Sequence, residues 1–403
     1  MMQPRWLDNT TPPHIFTLVV IAAIGALAMN IFLPSLPGIA RYYETDYRMA
    51  QLLVPVFLAA TAFVQLIIGP LSDRYGRRPV LMFSLSVFIA ATAAAAVMPT
   101  IEALLVCRVF QAFAAAGIVL SRAVVRDTVE HVDDAASRIG YVTMGMAMVP
   151  MVAPTIGGFL DELQGWQATF WFSAGFGLFG LILVYFDLGE TNSAPATGMM
   201  EQVRSYPELF GSRRFWGYTL TSAFSSGTFF AFLGGGPFIA TEFLHMTPSV
   251  YGIYFGLVAL GYMLGNYLSG RFSRMVGTNR MMLSGCTIAV AGVGLSIVLF
   301  TIGYIHPVSL FVPAGIIGIG NGMTLPNATA GMVSIRPRLA GAASGLGGTL
   351  QLGGGALMAV LAAAVLTVES GPNPLLYVMI LAAGLSVLSS AYVMLVDWQM
   401  RDA

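Results

Sequence analysis

The side chains of this chain that could do chemistry are isolated polar groups set inside long apolar runs: Asn30, Gln51, Gln65, Arg108, Gln111, Arg122, Asn266, Asn321, Asn327 and Gln351. None is a nucleophile beside a base, and no His, Cys, Asp or Glu cluster has metal-ligand spacing. Their chemistry is recognition and hydrogen bonding, which argues against an enzyme and against any metal or organic cofactor. An arginine at the centre of a hydrocarbon layer costs about 2.5–3.5 kcal/mol, so such residues mark candidate sites. Arg108 lies about six residues into its run, roughly 9 Å at 1.5 Å per residue, and is expected to face a central cavity or an internal partner, with structural snorkelling to the outer surface as the alternative. Arg122 is nearer an edge, where it either snorkels to the surface or joins the path of a substrate. Asn30, in LAMNIFLPSLP (27–37), is read as lining that path; the plainer alternative is a helix–helix hydrogen bond, worth about 0.6 kcal/mol. Met144 and Met148, four apart on one helix face, suit a pocket that accepts several apolar shapes, as do Phe229 and Tyr254. Gln111, Asn327 and Gln351 complete the candidate substrate-binding set, with packing or lipid contact as the alternative for the apolar members.

The elements that must position these residues follow from composition. Of 403 residues, 57% are apolar and 9% charged, and the mean hydropathy is +0.77, against about 25% charged in soluble domains. The formal charge is zero, which argues against a nucleic-acid partner and leaves the lipid bilayer and a small molecule. Cys107 and Cys286 read as small buried hydrophobes. All 19 basic residues are arginine; without lysine there is no Walker A loop and no Schiff base, so any work must draw on a gradient. Twelve spans of about 20 residues are expected, at roughly 14–36, 50–70, 79–98, 102–124, 139–160, 166–187, 215–240, 250–270, 281–303, 308–331, 341–366 and 374–396. The first is too long for a signal-peptide core and is read as retained. With the N-terminus inside, 15 arginines fall in inner loops and only Arg41 and Arg48 outside, so both termini are placed in the cytoplasm.

The polar stretch 188–214 divides the chain into a first half, 1–187, and a second, 215–403. LSDRYGR (71–77) aligns with LSGRFSR (268–274), and PGIA (37–40) with PFIA (237–240), at nearly the same offset. An internal repeat of two six-helix bundles is expected.

GPLSDRYGRRPV (69–80) holds Gly69, Asp73, Arg74, Gly76, Arg77, Arg78 and Pro79 between the second and third spans. It resembles the signature of the major facilitator superfamily, G-x-L-S/A-D-R-x-G-R-R/K. CRVFQAF (107–113) resembles the fourth-span motif of proton-coupled members, with Ala112 for a glycine. VPMVAPTIGG (149–158) resembles the fifth-span antiporter motif, carried by Pro150, Pro154, Gly157 and Gly158, with Ala153 for its first glycine. NIFLPSLP, SRAVVRD (121–127), GWQATF (165–170) and LGET (188–191) resemble the Bcr/CflA drug-efflux subfamily. The resemblance implies an all-α, twelve-helix transporter of a bacterial inner membrane, working as a monomer by alternating access and exporting small, largely apolar compounds by proton antiport. It also implies a latch in which Asp73 faces the start of the eleventh span while Arg77 reaches Asp127. In the repeat the acid position is Gly270, so the matching latch is expected to be weaker or missing.

One departure matters. Many relatives of this subfamily carry a carboxylate where this chain has Asn30, and no acid stands clearly at mid-span here. Glu102, Asp161, Glu242 and Glu369 fall at outer ends and Asp73, Asp127 and Asp187 at inner ends. Three routes stay open: an edge acid such as Asp73 or Asp127 carries the proton; the substrate carries charge selected by Arg108 and Arg122; or the protein is an uncoupled facilitator of a neutral or anionic metabolite.

Overall fold

The computed structural model describes residues 6–129, 132–192, 207–335, 339–367 and 371–399. Most of the expected linker and the loop arginines Arg5, Arg204, Arg336, Arg338 and Arg401 lie outside these residues, as does Glu369. Among the described residues, twelve helices are long and apolar enough to span a membrane: α1 (Ile15–Tyr42), α2 (Tyr47–Tyr75), α3 (Arg77–Ala95), α4 (Ile101–Thr128), α5 (Val132–Gln164), α6 (Gln167–Asp187), α7 (Arg213–Phe243), α8 (Pro248–Val276), α9 (Thr278–Thr301), α10 (Pro307–Ser334), α11 (Ala340–Val365) and α12 (Asn373–Gln399). Several run a turn or two past the expected span, because backbone hydrogen bonding continues beyond the apolar edge until a cap or glycine ends it. Asp46, Thr100 and Ser212 accept backbone N–H groups at the starts of α2, α4 and α7, and His14 and His306 do so through Nδ1 at α1 and α10.

Proline and small residues break the regularity where helices carry polar groups. Helix α1 passes through a tight 3₁₀ turn at Leu33–Ser35 around Pro34, and α4 through another at Ala112–Ala114. Between α2 and α3, Gly76 has φ +98° and ψ 151°; between α8 and α9, Gly277 has φ +90° and ψ 145°. Only glycine enters that region readily.

The helices pack in two matching sets. In the first half α1 packs on α4, α5 and α6, α2 on α4, and α3 on α4 and α6. In the second, α7 packs on α10, α11 and α12, α8 on α10, and α9 on α10 and α12. An acid near the end of each sixth helix ties down the start of the first. Asp187, fully buried, accepts Leu7 N–H at 2.8 Å, His14 N–H at 2.9 Å and the Thr17 hydroxyl at 2.6 Å. Asp397 forms an ion pair with Arg214 Nε and accepts a hydrogen bond from Asn279 Nδ2, each at 2.6 Å. The halves meet along α2–α11 and α5–α8.

Candidate functional site

Arg108 is 1% exposed and sits between two aromatic faces, its guanidinium 4.2 Å from the Phe32 ring centre and 4.4 Å from that of Phe57. Its Nε donates to the Leu53 carbonyl at 3.1 Å; Nη1 donates to the Ala28 carbonyl at 3.1 Å and to Gln111 Oε1 at 2.7 Å. Arg108 Nη2 and Gln111 Nε2 find no partner among the described residues. Thr92 of α3 and Thr169 and Ser173 of α6 flank the same spot. Arg108 and Gln111 thus form one cluster in the interior of the first half, and not a wall facing the second half. Peptide carbonyls and ring faces solvate the cation where no carboxylate does, which is compatible with the weakly hydrated, delocalised guanidinium.

The remaining expected contacts are dispersed. Asn30 is buried, with Nδ2 on the Ala26 carbonyl of its own helix at 2.7 Å and Oδ1 unpartnered among the described residues. Asn327 Nδ2 donates to Ser269 Oγ and to the Met323 carbonyl, each at 2.8 Å, fastening α10 to α8. Gln351 Nε2 donates to Ser226 Oγ at 2.8 Å, fastening α11 to α7. Met144 and Met148 are 59% and 58% exposed, in one stripe with Tyr141, Val152, Phe159 and Leu163. That stripe continues to the end of α5, as a lipid-facing surface does, so the two methionines are not gathered into a pocket. Tyr254 packs its ring 5.4 Å from Phe311, and Phe229 lies 5.9 Å from Phe230. Arg122 is exposed and makes no hydrogen bond or ion pair among the described residues. Sequence reading missed how deeply Gln51 is placed: it is fully buried against Gly234 of α7, with both amide atoms unpartnered among the described residues.

At the arginine-rich end, a polar network forms inside the first half. Arg77 pairs with Asp73, donates through Nε to Asp127 Oδ2 at 2.9 Å, and through Nη1 to Ser72 Oγ at 2.6 Å. Glu190 accepts the backbone N–H groups of Arg77 at 2.9 Å and Arg78 at 3.2 Å, a carboxylate at the start of α3. Asn192 Nδ2 donates to the Asp73 carbonyl at 2.7 Å, and the Thr191 hydroxyl to Asp127 Oδ2 at 3.3 Å. Glu190 and Asn192 were not among the expected site residues; Glu190 was legible only within the LGET resemblance and Asn192 not at all, since nothing local says which helix start a loop carboxylate will reach. Asp73 pairs with Arg77; the side chains at 340–342, where its expected contact with the start of α11 would fall, lie outside the described residues. Gly69, expected to permit close helix approach, has no neighbour within 4 Å of where a Cβ would stand, and neither do Gly345 and Gly348 of α11.

At the opposite end the halves are joined. Glu162 Oε1 of α5 accepts Ser249 N–H at the start of α8 at 3.0 Å, and Thr155 Oγ1 donates to the Gly252 carbonyl at 2.9 Å. The motif glycines face two ways: a Cβ on Gly157 would strike the Ile31 carbonyl of α1, and one on Gly158 the Pro248 carbonyl of α8. Pro154 packs in turn on Gly252, with Pro150 one turn earlier inside α5. Tyr47 donates its hydroxyl to the Gly234 carbonyl at 2.8 Å with its ring 4.6 Å from Phe238, and Arg48 Nε reaches the Leu366 carbonyl at 3.3 Å. Arg41 and Glu242 lie 3.9 Å apart across the same seam.

Residues 18–359 match the sequence profile of the family described as Major Facilitator Superfamily. Multidrug resistance protein D of Escherichia coli (strain K12) is 30% identical over 356 residues, covering 86% of this chain and 87% of that protein. The MFS-type transporter YdgK of Bacillus subtilis (strain 168) is 31% identical over 347 residues, covering 84% and 85%. The bicyclomycin resistance protein homolog of Haemophilus influenzae is 26% identical over 364 residues, covering 89% and 90%. Among solved structures, a bacterial homolog of the human lysosomal transporter Spinster, inward-facing and unoccupied, superposes with a TM-score of 0.76 at 16% identity, covering 94% of this chain and 95% of that one.

Proposed function

This chain belongs to the major facilitator superfamily, a multi-pass membrane transporter and not an enzyme, and from that premise we propose that it exports small, largely apolar compounds across a bacterial inner membrane by proton antiport. The observation that carries the reading is the one-sided closure. The seam of Glu162, Gly158, Tyr47 and Arg48 joins the halves at the arginine-poor end, while at the other end Asp73 pairs within its own half and, among the described residues, nothing stands within 4 Å of a Cβ on Gly69. Because arginine-rich loops stay in the cytoplasm, the open end faces inward. Rocking the halves about the substrate would exchange one closure for the other. The glycine pair of α5 supports antiport, and the drug-resistance names of two relatives support the substrate class.

A second reading, uncoupled movement of a neutral or anionic metabolite, is favoured by one specific feature. Asn30 supplies no titratable group to α1, and Arg108 is held by neutral carbonyls. The two readings separate in proteoliposomes. A panel of neutral, cationic and anionic compounds is followed with and without an imposed pH gradient. Uphill movement driven by the gradient supports antiport, with Asp73 and Asp127 the next sites to neutralise. Downhill movement only, with neutral or anionic compounds preferred, overturns the antiporter reading.

A further inference from the structure

We infer that the groove where α2, α3 and α6 end at the arginine-rich face binds the headgroup of an anionic phospholipid. This open groove of about 590 Å³ is lined by Arg74, Tyr75, Arg78, Pro79, Met82 and Tyr185, with Glu190 and Asn192 at its border; small-ligand sites usually offer about 300–1,000 Å³. The three helix ends bring it together: Tyr75 is the last residue of α2, Arg78 the second of α3, and Tyr185 lies just before the end of α6.

The charge pattern selects an anion. Of the three arginines around this turn, Arg77 is taken up by Asp73 and Asp127. Arg74 and Arg78 form no ion pair among the described residues. Each guanidinium instead lies near a tyrosine ring, Arg74 at 5.2 Å from Tyr75 and Arg78 at 5.7 Å from Tyr185, and Arg78 Nη2 donates to the Tyr185 carbonyl at 2.8 Å. Arg78 Nε is buried without a partner among the described residues. Glu190, which also borders the groove, is engaged by the N–H groups that open α3. Two arginines therefore face one committed carboxylate.

The other wall selects a lipid over a free anion. Tyr75 and Tyr185 are 59% and 53% exposed, and with Pro79 and Met82 they form an apolar surface that inorganic phosphate would leave unused. Amphipathic rings stand at the level of the headgroups in membrane proteins, and basic pockets between helices on the cytoplasmic side hold anionic headgroups. The groove shares Gly76, Arg78 and Glu190 with the network that holds Asp73, so an occupant would bear on that network directly. This inference rests on the membrane orientation and not on what is transported.

The test is native mass spectrometry of the purified, delipidated protein titrated with dioleoylphosphatidylglycerol or dioleoylphosphatidylcholine. The wild type should retain the anionic lipid with a preference of about 10- to 30-fold, the effect of two arginines at a membrane surface. Arg74→Gln with Arg78→Gln should abolish that preference while phosphatidylcholine binding and gel-filtration profile stay unchanged. Tyr75→Ala, which keeps both charges, should weaken it several-fold. Arg271→Gln with Arg274→Gln, in the repeated loop, should leave it intact. An unchanged preference in the first double variant overturns the assignment, and so does an equal loss in the repeat-loop variant, which would mean diffuse charge. Displacement of the lipid by millimolar inorganic phosphate, with Tyr75→Ala silent, would identify a site for soluble anions instead.

Discussion

Two carboxylates in this protein make the same kind of contact in different places. Glu190 receives the N–H groups of Arg77 and Arg78 at the start of α3, inside the first half. Glu162 receives Ser249 N–H at the start of α8, across the seam between halves. Both place negative charge at the positive end of a helix dipole, an arrangement worth roughly 0.3–1 kcal/mol. The difference lies in what must move. The Glu190 contact survives any rocking of one half on the other, so it belongs to stability. The Glu162 contact must break whenever the seam opens, so it belongs to the switch. One interaction type is structural or conformational according to whether it crosses the moving boundary.

The largest effect should come from the glycine that shapes the inner contact. Gly76→Ala forces a side chain into a backbone region that costs about 1–3 kcal/mol, and its Cβ would strike the Glu190 carboxylate. Gly277→Ala meets the same backbone restriction with nothing nearby. Reversible unfolding should therefore show Gly76→Ala as the more destabilising of the pair, by about the value of a helix cap, 0.5–2 kcal/mol. Equal losses would remove Glu190 from the account. Next, Glu190→Gln should cost about 0.5–1 kcal/mol in the same measurement and leave the distribution of open and closed conformers unchanged.

Glu162→Gln should do the reverse. Unfolding should change by less than about 0.5 kcal/mol, as exposed surface contacts do. Spin-label distances across the seam should shift two- to fivefold in population toward the outward-open form, the equivalent of the dipole term. No shift would make that carboxylate incidental. The smallest stability effect is expected for Asp73→Asn, because Arg77 keeps Asp127 at 2.9 Å. If Asp73 engages α11 in the opposite conformer, transport should nonetheless fall several-fold; transport at the wild-type rate would dismiss the latch.

Much of this was legible in one dimension. Span number, the preference of arginine for one face, and the repeat between LSDRYGR and LSGRFSR are properties of local composition, and a bilayer reads composition over about 20 residues at a time. The signature at 69–80 likewise located the turn, since Gly76 needs a conformation that its own sequence position dictates.

Local composition and motif spacing were therefore enough for the membrane architecture and the family. The tertiary structure alone decided the partners. Arg108 was visible as a costly charge, yet whether it faced a cavity depended on the carbonyls of Ala28 and Leu53, 80 and 55 residues away. Gly157 and Gly158 are adjacent and chemically identical, but one packs on α1 and the other on α8. Met144 and Met148 shared a face as the 3.6-residue period requires, and only packing assigned that face to an apolar outer stripe. A helix's periodicity fixes which residues share a side; which neighbour covers that side is set by rotation about the helix axis, and that angle is determined by the helices packed around it.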